Sequence, residues 1–304
     1  MIKGGIPPQE PPNSPNNILG IALMMLGTLL MACMDTAVKW LVEEDVSPAQ
    51  VLAMRSWVIV PVILSFLVAR GQLNLLKTTR PFAHGLRGGL GIFSPLPFFA
   101  ALKYLPLADA TVVFFSSTFI LTAISAILLN EKVGIHRWSA VVIGFCGVVI
   151  AINPEGDSDY WAYLLVLCAA LAYAGIQISG KKLMKQDSVI SLVFSFNLMI
   201  GLASSAILPW VWVPVSWLVI GVVLLMALLA LCGHIALTAA FGKAQVSAIA
   251  PFEYSSLIWV VLLGYLLFQD IPSEQVWIGA SVVISCGLYM IYRESLLAKQ
   301  RLKR

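Results

Sequence analysis

One carboxylate stands alone in a strongly apolar tract: Glu253, in the run Ala-Pro-Phe-Glu-Tyr that begins at Ala250. A charged side chain in the middle of hydrocarbon costs about 2.5–3.5 kcal/mol on insertion scales, so a residue of this type there needs a reason. A carboxylate facing a cavity can bind a proton or a cation and release it again. Pro251 just before it removes a backbone donor and can open a helix locally. The alternative is a neutral or paired Glu253 that locks two helices together. His234, after Gly233, is expected at nearly the same depth and could meet Glu253 across a helix contact. As a lone histidine in a helix it could equally be a hydrogen-bonded packing residue.

Asp35, Lys39 and Arg55 form a second constellation. Asp35 and Lys39 are spaced i,i+4 and share a helix face. The expected arrangement is an ion pair of Asp35 with Arg55, with Lys39 snorkelling outward. The sharper alternative is an outer gate that breaks when a site opens inward. Phe98, Phe99, Phe114, Phe115, Tyr254 and Trp259 could line a site and stack on a flat substrate, or simply pack. Gly85 and Gly89 are spaced for close helix packing, and Asp109 is expected to cap a helix.

Catalytic signatures are missing. The sequence has no Walker loop, HExxH or GxSxG, and its three histidines stand at unrelated positions. The five cysteines all lie in apolar runs with no CxxC pair, so they read as small hydrophobes. No metal, cofactor or enzymatic activity is expected, and a net charge of +4 confined to short loops does not suggest a nucleic-acid partner.

The elements that must position these residues follow from composition. Of 304 residues, 60% are hydrophobic and 11% charged, against about 25% charged in soluble domains. With a mean hydropathy of +0.91 the chain belongs to the membrane class. Lipid offers backbone groups no partner, so the spans must be helices or a closed barrel, and apolar runs of this length are helices. Ten are expected, over residues 17–42, 49–69, 82–102, 107–129, 136–153, 159–182, 188–209, 215–241, 245–268 and 274–292. Pro95 and Pro97 should interrupt the third, with Gly233-His234 at the corresponding point of the eighth.

Loop charges set the orientation. With a cytoplasmic N-terminus, Arg70, Lys77, Arg80, Lys132, Arg137, Lys181, Lys182, Lys185, Lys243 and Arg293 fall inside. Glu43, Glu44, Asp45, Glu155, Asp157, Asp159, Asp270 and Glu274 fall outside. That asymmetry predicts both termini inside. Trp161, Trp210, Trp212, Trp217 and Trp277 fall near the outer interface as an aromatic belt. Residues 1–16 read as a disordered cytoplasmic tail, and 293–304 as a basic one.

The tract from Leu128 (LLNEKVGIHRWSAVVIGFCGVVI) resembles that from Leu266 (LLFQDIPSEQVWIGASVVISCGLYM). Both run through an acid (Glu131, Asp270) and a Trp (Trp138, Trp277) to a Cys-Gly pair (Cys146-Gly147, Cys286-Gly287). The offset is about half the chain, which divides it into repeats over 17–153 and 159–292. Five spans per half is odd, so the halves would be inverted in the membrane. Inverted repeats with interrupted helices are typical of secondary transporters, whose sites lie at the midplane between the halves.

ALKYLPLADATVVFF (Ala101–Phe115), LLNEKVGIHRWSAVVIGFCGVVIAI (Leu128–Ile152), Arg55 and APFEYSSLIWVVLLGYLLF (Ala250–Phe268) together carry a family resemblance. Over nearly its whole length the chain resembles the EamA-type members of the drug/metabolite transporter superfamily. The resemblance implies an all-α integral membrane protein of ten helices in two inverted five-helix repeats, with transport driven by gradients. The chain departs from the family at Ser116-Ser117-Thr118, where members often carry a proline. Its early Pro251 is similar to the subgroup of riboflavin and S-adenosylmethionine uptake carriers.

The resulting expectation is a secondary carrier of a small polar or heteroaromatic metabolite across a bacterial inner membrane. Its partners are the substrate, the lipid bilayer and, as a candidate coupling ion, the proton. An exporter of the same fold is the nearest alternative. An intramembrane enzyme or a non-transporting membrane protein are alternatives of other classes.

Overall fold

A computed structural model of the chain describes residues 16–78, 80–128, 134–153, 159–183, 188–244 and 246–302. Residues 1–15, the marker Glu131 and the expected outer acids Glu155 and Asp157 lie outside the described residues. The described residues are helical, without strands. The helices are α1 (Asn17–Glu43), α2 (Pro48–Ala69), α3 (Pro81–Gly91), α4 (Pro95–Ala101), α5 (Leu107–Phe114), α6 (Ser116–Leu128) and α7 (Ile135–Ile152). They continue as α8 (Tyr160–Leu183), α9 (Val189–Val211), α10 (Trp217–Lys243), α11 (Val246–Ile249), α12 (Ser255–Phe268) and α13 (Glu274–Leu302).

Among the described residues, nine helical stretches are long and apolar enough to cross a membrane. The tenth expected span, the third in order, is two short helices, α3 and α4, separated by a turn at Ile92–Ser94. Pro95, at the first turn of α4, has no N–H to continue the ladder from α3. The expected interruption of the eighth span does not occur: α10 runs unbroken through Gly233 and His234. Gly233 instead lets α10 approach α1, since a Cβ there would lie 3.0 Å from Met31 Sδ. At the other end of the chain α13 continues as helix to Leu302, past the expected limit at residue 292.

Two spans break elsewhere. The fourth is jointed at Phe115, between α5 and α6. The ninth consists of α11, a 3₁₀ turn over Ala250–Tyr254, and α12. Pro251 sits in the first turn of that 3₁₀ segment, so the tightening occurs where a backbone donor is absent.

Much of the surface is apolar. Trp217 (88%), Trp210 (81%) and Phe82 (82%) are among its most exposed large side chains. In water such a surface would aggregate; in a bilayer it faces lipid. Interior contacts use small residues: Ala101, Ala110, Ala162, Ala169, Ala174, Ala227 and Ala240 are buried. Close packing of backbones through small side chains holds helices together where lipid leaves little hydrophobic driving force. At the α7–α13 contact, a Cβ on Gly279 would come within 2.5 Å of the Gly147 carbonyl. On α3 the close-packed glycines are Gly88 and Gly91, against Met199 and Phe196 of α9. Gly85 and Gly89, expected in that role, face open space.

The principal contacts cross the middle of the sequence. α1 packs on α10 and α12, α2 on α9 and α10, α3 on α8 and α9, α4 on α8, α6 on α8, α5 on α12, and α7 on α13.

Candidate functional site

The two jointed spans meet at a cavity of about 370 Å³. From the α5–α6 joint come Phe114, Phe115, Ser117, Thr118, Leu121, Thr122 and Ser125. The 3₁₀ turn contributes Ala250, Glu253 and Tyr254. α7 adds Arg137, α8 adds Tyr173, and α13 adds Gly287, Met290 and Ile291.

Local structure explains the placement. The 3₁₀ turn is pinned to α1, because the hydroxyls of Thr28 and Ser255 hydrogen-bond at 2.9 Å and Ser255 Oγ also lies 2.6 Å from the Phe252 carbonyl. Glu253 therefore projects from a tethered turn into the cavity, and it is solvent-accessible there. Among the described residues it is the only acid in the lining. Tyr254 fits because Gly287 has no side chain: a Cβ at Gly287 would collide with the tyrosine hydroxyl. The Tyr254 ring packs against Phe115 with centroids 5.1 Å apart. A second aromatic row runs Phe99, Phe98, Phe114, Tyr173, with successive centroids 6.4, 5.0 and 5.4 Å apart.

The hydroxyls come from one stripe of α6. Ser117, Leu121 and Ser125 follow at i,i+4 intervals, and Thr118 and Thr122 run beside them. Thr122 Oγ1 donates to the Thr118 carbonyl at 3.0 Å. Sequence reading missed this stripe, together with Arg137 and Tyr173. The signal was present as a helical run of hydroxyls in an otherwise apolar span, where the expected family proline is replaced by Ser116-Ser117-Thr118.

Of the expected site residues, Glu253, Tyr254, Phe114 and Phe115 line this cavity, while Pro251 starts the 3₁₀ turn that carries Glu253 and itself lines a neighbouring groove. His234 does not join them. It lines a separate groove on the lipid-facing surface, with Val62, Phe66, Ile190 and Leu231 of α2, α9 and α10. Phe99 is buried at the far end of the second aromatic row and does not line the cavity. Trp259 packs in the core, and its indole Nε1 has no hydrogen-bond partner.

Asp35 and Arg55 are close enough for their charges to interact, but no ion pair within 4.0 Å joins them among the described residues. Arg55 is 8% exposed, its Nε is unpartnered, and its guanidinium carbon lies 5.8 Å from the Phe99 ring centroid. The expected outward snorkelling of Lys39 does not occur. Lys39 is 4% exposed and its ammonium reaches Asp270 Oδ2 at 2.8 Å, Glu43 Oε1 at 3.5 Å and the Leu105 carbonyl at 3.2 Å. It also lies 4.9 Å from the Phe268 ring centroid. A helix end builds this contact. Gln269 adopts the left-handed conformation (φ 58°), and the N–H groups of Gln269 and Asp270 return to the Tyr265 and Gly264 carbonyls. That Schellman-type stop turns Asp270 back toward α1.

Asp109 lies in the first turn of α5 but makes no cap. It is buried, and its Oδ2 accepts a long hydrogen bond, 3.4 Å, from Tyr163 of α8. Nearby, the exposed pair Lys103–Asp45 (2.6 Å) ties the turn after α4 to the turn after α1.

Among the described residues, a helical body with an apolar surface and a cavity holding charged and hydroxyl groups between jointed helices defines a membrane protein of the transporter class. The EamA-like transporter family model matches the chain twice, over residues 18–153 and 160–293, and the chain belongs to that family. An S-adenosylmethionine uptake transporter of Rickettsia conorii is 28% identical, with 91% of this chain and 94% of the relative covered. A riboflavin transporter of Vibrio cholerae is also 28% identical, covering 87% and 90%. The pseudopaline exporter CntI of Pseudomonas aeruginosa is 23% identical, covering 88% and 94%. A solved crystal structure shares the fold at a TM-score of 0.58 with 18% identity, over 93% of this chain and 99% of that one.

Proposed function

We propose that this chain is a secondary active transporter of a small, flat metabolite bearing positive charge, in the class of S-adenosylmethionine. The observation that carries the reading is the cavity in which one acid, Glu253, stands among aromatic faces and hydroxyls. A sulfonium or ammonium group is complementary to the carboxylate. An adenine ring can stack on Phe115 and Tyr254, and its ribose can bond to the α6 hydroxyls. Riboflavin would use the aromatic faces and hydroxyls but brings no cationic group to Glu253, leaving Arg137 as the positive charge of the cavity. The names of the relatives are consistent with either substrate.

The transport unit is two inverted halves of five spans, residues 17–153 and 159–292, with α3 and α4 together as the third span. The packing supports this reading. Exchanging each span for the one five places along carries the α1–α10 contact onto α8 with α3 and α4. It carries α2–α10 onto α9–α3, and α1–α12 onto α8–α6, while α2–α9, α5–α12 and α7–α13 map onto themselves. The jointed α5–α6 and α11–α12 spans occupy matching positions under the same exchange, as expected for a midplane site.

Alternating access then has a physical form. Both termini and the cavity mouth near Arg137 face the cytoplasm of a cell with this protein in its inner membrane. The Lys39–Asp270 pair closes the outer side by joining the first half to the second. Opening outward breaks that pair. Glu253 carries either the substrate cation or a coupling proton.

The test is flux into proteoliposomes with labelled S-adenosylmethionine, competed by S-adenosylhomocysteine, which lacks the sulfonium charge, and by riboflavin. Saturable uptake competed far better by unlabelled S-adenosylmethionine than by the other two is expected. Saturable riboflavin uptake with no response to S-adenosylmethionine would refute the cationic reading and leave a carrier of a neutral flat substrate. No flux with a panel of metabolites would remove the transporter assignment.

A further inference from the structure

A groove of about 540 Å³ runs along the membrane face between α3 and α8. From this groove we infer a binding site for one anionic glycerophospholipid, with its phosphate held by Arg80 and Arg87 and an acyl chain laid between the two helices. The site is separate from the Glu253 cavity and rests only on the membrane location of the chain.

The charge distribution argues for it. Arg80 stands at the start of α3 and Arg87 about two turns further along the same face, and among the described residues no acid lines the groove. Among the described residues neither arginine makes an ion pair within 4.0 Å. Arg87 is held in place: its Nε donates to the Ile176 carbonyl at 3.3 Å and its guanidinium lies 5.4 Å from the Phe196 ring centroid. Its planar fork is thus pre-oriented, and guanidinium forks suit phosphate oxygens. The first turn of α3 has no side-chain cap, so backbone N–H groups add positive potential at the same end.

The rest of the groove matches a hydrocarbon chain. Leu86, Leu90 and Phe93 continue one wall and are each more than half exposed. Leu90 and Phe93 carry this wall past Arg87, through the end of α3 and into the turn after it, along the path an acyl chain would follow. Gly175 on the facing wall has open space where a side chain would stand. Among the described residues, two other grooves on the membrane face, of about 710 and 550 Å³, are lined by no Lys or Arg, so nothing there favours an anionic headgroup. Basic pockets between spans are where anionic headgroups are selected over zwitterionic ones.

The experiment uses the full-length protein in neutral detergent. Retained lipid is counted by native mass spectrometry, and thermal stability is followed during titration with dioleoyl-phosphatidylglycerol or dioleoyl-phosphatidylcholine. One tightly retained phosphatidylglycerol and preferential stabilisation by it are expected. Each arginine should contribute about fivefold in affinity, near 1 kcal/mol per basic residue. Arg80→Gln should reduce the preference about fivefold, and Arg80→Gln with Arg87→Gln should abolish it. Because Arg87 also packs on Phe196, Gly175→Leu provides a second arm. It fills the groove, leaves both arginines, and should release the lipid while the protein stays folded. Equal response of the wild type to both lipids, or a preference that survives both the double variant and Gly175→Leu, would overturn the site. None of these readouts involves flux, so failure here leaves the transport reading standing.

Discussion

Lys39 and Asp270 lie 231 positions apart in sequence and 2.8 Å apart in space, at the end of α1 and in the turn between α12 and α13. The lysine is buried and the aspartate side chain is 25% exposed, so the pair is only weakly screened. Removing one partner of a buried pair costs about 3–5 kcal/mol. Asp270→Asn should cost less than this, because Glu43 still reaches the ammonium at 3.5 Å. Lys39→Met in the otherwise native protein should cost more than Lys39→Met combined with Asp270→Asn. Both single variants should increase labelling of a cysteine placed at Ala108 by an impermeant thiol reagent, as the outer side opens. Unchanged labelling with normal stability would show that the pair is not a latch.

Glu253→Gln keeps size and hydrogen-bonding capacity while removing the charge. The protein should insert and fold normally. Gradient-driven flux should fall at least about tenfold, a loss of about 1.4 kcal/mol in a cation contact. If the proton alone is the coupling ion, exchange of internal for external substrate survives; if Glu253 holds the substrate cation, both modes fail. Normal flux with unchanged pH dependence would make Glu253 a packing residue.

Gly287→Ala places a methyl where the Tyr254 hydroxyl now lies. The ring must swing into the cavity, at a strain typical of overpacking, about 1–3 kcal/mol. Substrate affinity should drop more than stability. Tyr254→Phe should partly rescue the glycine variant, since it removes the oxygen that collides. Lack of rescue would mean that the α13 backbone, not Tyr254, is displaced.

Arg55 is a buried guanidinium without an ion pair within 4.0 Å among the described residues. Asp35 opposes that charge only from beyond ion-pair distance, so relief of the guanidinium's burial should at least offset the loss of that attraction. Arg55→Gln should therefore keep or raise the melting temperature, yet depress flux if Arg55 meets the substrate or Asp35 in another state of the cycle. A large loss of stability would instead identify Arg55 as a structural ion-pair partner.

The Lys103–Asp45 pair lies in exposed turns. The lysine beside it holds the Asp45 carboxyl below its ordinary range, and the aspartate holds Lys103 above its own. The carboxylate's contribution is present above the ordinary aspartate pKa and is lost as pH falls through the lowered one. The lysine's contribution is present below the ordinary lysine pKa and is lost as pH rises through the raised one. Asp45→Asn should thus lower thermal stability slightly near pH 7 and low salt, and the difference should vanish at high salt. A salt-independent difference would point to the backbone at Asp45, whose φ is 59°, and not to the ion pair.

Much of this architecture could be read from the chain alone, for one physical reason. Lipid supplies no hydrogen bonds, so a long apolar run must satisfy its own backbone as a helix, and run length identifies most spans without tertiary information. The same solvent makes a lone acid conspicuous, which is why Glu253 stood out before its surroundings were known. Side-chain facing was not legible, because α10 and α12 are apolar all round and carry no stripe to orient them. Depth alone pairs His234 with Glu253, but rotation of an unbroken α10 turns it to the α2–α9 groove. Tyr173 and Thr122 became cavity residues only once α6 and α8 packed together. Lys39 is expected to reach for water, and the Schellman turn after α12 supplies a half-buried carboxylate instead. Local chemistry and solvent decide where a helix must form, whereas which of its polar groups meet depends on rotations and joints that only the packed assembly determines.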